Sequence, residues 1–179
     1  MPSALAKDKP LVAVVMGSDS DLPTLQPAVS LLEQFGLAVE VKVLSAHRTP
    51  LEMVAFAQNA TAIGLKVIVA GAGGAAHLPG MLASLTPIPV VGVPIKTDAL
   101  SGVDSLYSIV QMPRGIPVAT VAIGGGLNAG LLAAQILAIA DSDLQQKILI
   151  YRNSLNEDVW LKNAKLEELG SSNYLKEMR

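Results

Sequence analysis

Short aliphatic runs alternate with longer segments of helical character along this chain, and the alternation limits the folds that it can adopt. The aliphatic runs lie at residues 11–16, 39–43, 67–70, 90–93 and 118–123. The segments between and after them predict helices at residues 21–35, 50–64, 79–84, 104–111 and 128–140. Strands that alternate with helices in this way predict a parallel sheet with helices on both faces.

The polarity of the runs predicts the order of the strands. The first run is apolar throughout, which is typical of a strand buried on both faces. The second alternates valine with Glu40 and Lys42, which predicts an edge strand with one face in water. Right-handed crossovers then favour the order 2-1-3-4-5, a three-layer α/β/α arrangement of the flavodoxin-like type. In such sheets, ligands bind outside the carboxyl ends of the strands, between the first and third.

Local signals add two details to the helices. Residues 49–52, Thr-Pro-Leu-Glu, read as a capping box with proline at the first helical position. Pro27 lies inside the first helix and removes one of its hydrogen bonds, which predicts a kink or a late start.

The pattern changes after residue 141 to one long amphipathic segment. Its apolar residues recur every three or four positions, at Leu144, Ile148, Tyr151, Leu155 and Val159. We therefore expect a single domain over residues 1–179, with a core of about 11–140 and a C-terminal helical extension of about 142–170. The extension would pack either on its own domain or on a neighbouring subunit.

Composition excludes several classes of function. The formal net charge is −2 and no basic run is present, so we expect no nucleic-acid partner. The absence of cysteine excludes disulfides and thiolate catalysis and suits a cytoplasmic protein. Residues 67–95 and 115–140 contain no Asp, Glu, Lys or Arg, but glycines interrupt both, so we expect no membrane span. We also expect no secretory signal at residues 1–10.

The loop after the first strand, residues 17–21, reads Gly-Ser-Asp-Ser-Asp. Backbone amides at the start of a helix suit an anion, and serine hydroxyls add donors to a phosphate. A carboxylate here could accept hydrogen bonds from ribose hydroxyls. The alternative is that Ser20 or Asp21 only caps the helix, and the loop alone does not decide between the two.

The loop after the second strand carries His47 and Arg48. The guanidinium group of Arg48 offers a planar fork for a phosphate or carboxylate. The imidazole ring of His47 can take and return a proton near neutral pH. A lone histidine ahead of a helix is more often structural, but this one is expected beside the serines of the first loop.

The third loop, residues 71–77, is built of glycine and alanine and ends at His77. Small residues let a flat ring or a carboxylate approach the backbone closely. His77 would either contact a ligand or cap the turn. Residues 71–76 and 124–129 both match the pattern G-x-G-x-x-A, but the first strand lacks it, so we expect no NAD or FAD. The spacing of histidine and acidic residues supports no metal site.

Five motifs occur in order at residues 16–21, 45–50, 70–81, 101–106 and 111–115. Together they resemble those of the class I 5-(carboxyamino)imidazole ribonucleotide mutases of purine biosynthesis, the PurE family. The resemblance runs from about residue 11 to residue 140. It is far more specific than any one motif, because the order and the spacing both match.

The resemblance implies that the carboxyl group of the ribonucleotide moves from the exocyclic amine to ring carbon 4, without ATP, biotin, metal or other cofactor. It implies His47 as the catalytic acid and base, and Asp21 as the ribose ligand. The phosphate region would be held by Ser18, Ser20 and Arg48. The pocket for the base and carboxylate would be lined by Ser45, Ala72, Gly73, His77 and Leu78. A homo-octamer is implied, in which the C-terminal helix packs on neighbouring subunits.

The sequence departs from the family pattern in two places, and three alternative functions stay open. Leu25 stands where methionine is common, and residues 124–129 form a shorter loop than usual. The alternatives are a class II carboxylase that uses free carbon dioxide, a non-catalytic nucleotide-sensing module and a dinucleotide oxidoreductase.

Overall fold

The computed structural model describes residues 9–178, so most of residues 1–10, where no secretory signal is expected, lies outside it. It contains a five-stranded sheet in which every neighbouring pair is parallel. The strands are β1 (Val12–Met16), β2 (Val39–Val43), β3 (Val67–Ala72), β4 (Val90–Pro94) and β5 (Ala119–Thr120). Their order is β2-β1-β3-β4-β5, which confirms the predicted flavodoxin-like α/β arrangement and the edge position of β2.

Helices cover both faces of this sheet. They are α1 (Leu22–Gln34), α2 (Pro50–Ile63), α3 (Leu78–Leu85), α4 (Val103–Val110), α5 (Gly126–Ala138) and α6 (Ser142–Glu177). Side chains from α1, α5 and α6 pack on one face with Val12 and Val14 of β1. Side chains from α2, α3 and α4 pack on the other face with Ala13 and Val15. The alternation along β1 therefore supplies both aliphatic cores, as expected for a strand buried on both sides.

A kink or a late start of α1 is predicted from Pro27, and the late start is not observed. A single 3₁₀ turn, Asp19–Asp21, precedes it, and α1 then runs from Leu22 through Pro27 to Gln34. The proline therefore does not delay the helix.

The predicted capping box at Thr49 is wrong. The Thr49 hydroxyl makes no bond to the first turn of α2, because it donates to the carbonyl of Ser45 at 3.2 Å and accepts from the Ser45 N–H at 2.9 Å. Thr49 thus closes the loop ahead of the helix. The rest of the prediction is confirmed, since Pro50 begins α2 and Gly64 ends it with a φ of 101°.

Strand β5 is only two residues long, although an apolar run over residues 118–123 predicts six. The carbonyls of Gly92 and Pro94 on β4 face this edge and accept from the N–H groups of Val121 and Gly124. Proline has no N–H to offer in return, so the regular ladder ends there.

Helix α5 begins at Gly126, two residues earlier than predicted, and crosses α1 at very short range. A Cβ atom added at Gly126 would lie 1.9 Å from the Thr24 carbonyl oxygen, and one at Gly130 would lie 2.8 Å from the Ala28 Cα. The two glycines therefore set the distance between these helices.

Helix α6 packs on the core only through its first turns. Leu144 and Ile148 are buried, and the ring of Tyr151 meets that of Phe35 edge-on at 5.9 Å between centroids. Farther along the apolar stripe, Val159 is 63% exposed. A non-helical residue, Gly170, breaks the helix near its end. No helix within residues 9–178 is long and apolar enough to cross a membrane.

Candidate active site

One cleft of about 390 Å³ opens at the carboxyl ends of β1, β2 and β3. All ten predicted site residues line it: Ser18, Ser20, Asp21, Ser45, His47, Arg48, Ala72, Gly73, His77 and Leu78. Three further lining residues, Gly17, Ala46 and Ala75, are missing from the prediction. Ala46 and Ala75 lie between predicted residues of their loops and Gly17 directly precedes Ser18, so position in the sequence is the signal that could have found them.

The first loop is held by hydrogen bonds within itself. The Ser18 hydroxyl accepts from the Ser20 N–H at 3.4 Å, and the Asp21 carboxylate accepts from the Ser18 N–H at 3.2 Å. These bonds form a capping box at the N-terminal end of the 3₁₀ turn, whereas Asp21 makes no side-chain bond to α1. Of the two alternatives for this loop, capping of the long helix is not observed, although Asp21 takes part in capping the turn that leads into it.

Asp21 is the most buried carboxylate of the cleft, with 7% of its surface exposed. Burial raises the pKa of its carboxyl group above the ordinary 3.8, although hydrogen bonds from Ser18, Ser20 and Gly17 act in the opposite direction. The folded protein therefore binds this proton more tightly than the unfolded chain does. The free energy of unfolding falls as pH rises from 3.8 to the folded-state pKa, and the loss is complete above that pKa.

We expect Asp21→Asn to be at least as stable as the wild type at pH 7. Asparagine carries no charge to desolvate, and its carbonyl and amide groups can serve the Ser18 N–H and the Ser20 hydroxyl. Thermal unfolding of both proteins at pH 7 and pH 4 checks this, and the difference between their Tm values should be smaller at pH 4. A variant with a lower Tm than the wild type at pH 7, and an equal Tm at pH 4, would contradict the prediction.

The second loop is tied to the first through Arg48. Its Nη2 donates to the Gly17 carbonyl at 2.8 Å, and its Nε donates to the Ser45 hydroxyl at 3.3 Å. The buried Ser45 hydroxyl also accepts the Arg48 N–H at 3.2 Å. These side-chain contacts use two of the five N–H groups of the guanidinium, and the others can serve an anion. The loops are thus connected before any ligand arrives.

The two histidines of the chain meet in the cleft. His47 Nε2 lies 2.8 Å from His77 Nδ1, and the rings stand at 84° to each other. When both rings are neutral, one of the two nitrogens carries the hydrogen and the other accepts it. His77 precedes α3 without a side-chain bond to that helix, so the capping alternative is wrong. The pair can therefore pass a proton and hold each ring in place.

The third loop brings the backbone to the cleft. Strand β3 extends to Ala72, two residues beyond the predicted run, and Gly73 and Ala75 continue the wall. A Cβ atom at Gly73 would lie 3.5 Å from Ile95, so this wall also packs on the end of β4. Within residues 9–178 no three histidine or acidic side chains are grouped so that they could hold a metal ion.

The fold and this cleft together are those of an α/β nucleotide-binding enzyme. Residues 11–158 match the family model described as AIR carboxylase, and the chain belongs to that family. The assignment made from the five motifs is thereby confirmed.

Individual relatives agree with the family. The chain is 59% identical to N5-carboxyaminoimidazole ribonucleotide mutase of Synechocystis, over 96% of this chain and 97% of that protein. It is 53% identical to the protein of the same name from Thermotoga maritima, over 93% and 97% of the two chains. Among solved structures, Treponema denticola PurE superposes with a TM-score of 0.80 at 29% identity, over 88% of this chain and 99% of that one.

Proposed function

We propose that this chain is a cytoplasmic 5-(carboxyamino)imidazole ribonucleotide mutase of purine biosynthesis. It moves a carboxyl group from the exocyclic amine to ring carbon 4, giving 4-carboxy-5-aminoimidazole ribonucleotide. The observation that carries the proposal is the His47–His77 pair, 2.8 Å between nitrogens, in a cleft that also holds Ser18 and Arg48. One cleft therefore combines a proton carrier with anion-binding groups. The mutases named above, at 53 and 59% identity, support the same reaction.

The first two loops bind the ribose phosphate in this proposal. Ser18, Ser20 and the unused N–H groups of Arg48 donate to phosphate oxygens. Asp21 accepts a hydrogen bond from a ribose hydroxyl through an oxygen of its carboxyl group. The Arg48 contact with Gly17 fixes the distance between the two loops, so little ordering is needed on binding.

The base and the carboxylate lie against the second and third loops. This part of the cleft is lined by Ser45, Ala72, Gly73, His77 and Leu78. Its small side chains leave room for a flat ring close to the backbone, and Ala72 and Leu78 are buried. A confined, partly apolar wall keeps water and the reacting carboxyl group apart.

His47 handles both protons of the reaction. It first protonates the exocyclic nitrogen, so the bond from that nitrogen to the carboxyl carbon breaks and carbon dioxide is freed. Ring carbon 4 then forms a bond to the carbon dioxide, and His47 accepts the proton that this carbon loses. One proton is given and one is returned, so His47 ends in its starting state and no other reactant enters.

The direct test is an assay of carboxyl migration on the purified protein without ATP or bicarbonate. We expect turnover of the carboxyamino substrate at a rate that added bicarbonate does not change. A protein that acts only on aminoimidazole ribonucleotide with bicarbonate would instead be a carboxylase. Binding without turnover would indicate a sensing module, and a change in NADH absorbance would indicate an oxidoreductase.

We further propose a homo-octamer in which residues 1–179 act as one domain and α6 packs on neighbouring subunits. Three consecutive residues of α6, Val159, Trp160 and Leu161, are between 63 and 70% exposed in the single chain. Val41 and Val43 on the edge strand β2 are also exposed. Apolar groups this exposed are typical of a surface that another protein covers.

Leu161→Lys should break the assembly. The wild type is expected to have about eight times the 18.6 kDa mass of one chain in light scattering after gel filtration. A lysine at an apolar contact has no partner there, so the variant should elute as smaller species. Asn156→Lys, on the same helix at an exposed polar position, is the control and should leave the mass unchanged. A wild type that elutes as a single chain would contradict the octamer.

A further inference from the structure

Ser105, on α4, lies behind the third loop with none of its surface exposed. Its hydroxyl donates to the Ile95 carbonyl at 2.7 Å and accepts the Gly74 N–H at 2.9 Å. One buried hydroxyl therefore joins the segment after β3 to the segment after β4. The sequence around it, residues 101–106, is one of the five family motifs, yet none of these residues lines the cleft.

Gly74 is the residue that this bond holds, and it stands between two residues of the cleft wall, Gly73 and Ala75. The Gly74 backbone has a φ of 67°, in the left-handed region. Its carbonyl accepts from the Ala76 N–H at 2.8 Å. Gly74 is therefore held through its N–H by Ser105 of α4, and through its carbonyl by the loop itself.

Ser108, one turn later on α4, adds a weaker contact. Its hydroxyl lies 3.2 Å from the Gly74 carbonyl oxygen and 2.8 Å from the Asp104 carbonyl oxygen. A hydroxyl has one hydrogen, and the acceptor within its own helix is nearer. Ser105 therefore carries most of the connection between α4 and the loop.

The start of α4 is itself anchored. The Thr97 hydroxyl donates to the Asp104 carboxylate at 2.8 Å and accepts the Gly102 N–H at 3.2 Å. The Ile95 N–H donates to the Ala72 carbonyl at 3.0 Å, which ties the ends of β3 and β4 together. Ser105 thus connects the loop to a rigid part of the fold.

We propose that Ser105 is a positioning residue of the carboxyl transfer: by fixing Gly74, it holds Gly73 and Ala75 in the wall that confines carbon dioxide. This inference rests on the proposed function. Carbon dioxide exists free between breakage of its bond to nitrogen and formation of its bond to ring carbon 4. A wall that shifts during this interval lets the gas leave before the second bond forms. The ribose phosphate is bound by the first two loops, so most of the affinity for the ribonucleotide does not depend on Ser105.

The experiment uses substrate labelled with carbon-13 in the carboxyl group, and unlabelled bicarbonate in the buffer. It measures the label that reaches ring carbon 4 and the label released to solution. For Ser105→Ala we expect kcat to fall about ten-fold, the size of the one lost hydrogen bond that holds Gly74, with KM little changed. The share of label transferred should fall as well. Ser84→Ala removes an exposed hydroxyl that bonds to the Met81 carbonyl, and it should match the wild type.

A Ser105→Ala protein that transfers the same share of label as the wild type overturns the inference, whatever its total rate. If this variant does not fold, Gly74→Ala tests the loop from its other end. A Cβ atom at Gly74 meets no heavy atom within 4 Å, but a side chain is strained at this φ. The loop should therefore shift, and this variant should also transfer a smaller share of the label to ring carbon 4. An unchanged share in that variant also overturns the inference. Wild-type protein that transfers no label contradicts the proposed function itself and takes this inference with it.

Discussion

Substitution of His47 by asparagine should lower kcat by about 10²- to 10⁴-fold, the usual contribution of a general acid or base. Asparagine can still hydrogen bond toward His77, but it cannot take up a proton near neutral pH. Substrate affinity should change little, because the hydrogen bonds that hold the loops of Ser18 and Arg48 do not involve His47. Kinetics in the carboxyl-migration assay and calorimetric titration with the ribonucleotide measure the two quantities separately.

His77→Asn is the matched comparison, since it makes the same substitution in the ring whose Nδ1 lies 2.8 Å from His47 Nε2. It removes the ring that orients His47 and leaves the proton carrier in place, so we expect a smaller loss of kcat. Near-normal turnover of His47→Asn would remove His47 from the mechanism. An equal loss in both variants would mean that the pair acts as one unit.

Gly126→Ala should be the most damaging single methyl group that can be added between α1 and α5. The new Cβ would lie 1.9 Å from the Thr24 carbonyl oxygen, far inside contact distance, and that oxygen belongs to the backbone. Alanine gains at most about 1 kcal/mol over glycine in helix propensity, because Gly126 is the first residue of α5. Overpacking against a rigid neighbour outweighs this gain, so we expect a net loss of about 3 kcal/mol in the free energy of unfolding.

Calorimetric unfolding checks this value, and a loss of that size corresponds to a Tm lower by roughly 6 to 12 °C. Asn128→Ala, at an exposed position on the same helix, is the control and should lie within about 0.5 kcal/mol of the wild type. If Gly126→Ala unfolded at the same temperature as the control, α5 could move away from α1 with no loss of stability, and the prediction would be wrong.

The sheet order could be predicted because each signal was local and unambiguous. Glu40 and Lys42 mark β2 as an edge strand, and the wholly apolar β1 can only lie inside. The convergence of the three loops followed from the same topology, since loops after neighbouring parallel strands must meet at one edge. The ten individual residues came from the family resemblance, and all of them line the cleft.

What could not be predicted depends on competing groups or on groups that are distant in sequence. Ser45, four residues before Thr49, takes the hydroxyl that would cap α2, and Pro94 on the neighbouring strand β4 stops β5 early. Ser105 lies 31 residues after Gly74 in the sequence, with α3 and β4 between them. No local pattern reports such a contact.

The apolar stripe of α6 shows a different limit. Its period predicts a helix, and the helix is present, but only Leu144 and Ile148 of the stripe are buried. Periodicity identifies the face that is covered and not the molecule that covers it.

The position of Trp160 has a spectroscopic consequence. It is the only tryptophan of the chain, and it lies on the exposed part of α6, away from the two aliphatic cores. Its fluorescence would therefore report on the surroundings of α6 and not on melting of the sheet. Emission at the wavelength of a water-exposed indole would indicate separate chains, and a blue-shifted emission would indicate assembled ones. Dissociation of the assembly on dilution could then be followed by this fluorescence, while the circular dichroism of the folded chains stays constant.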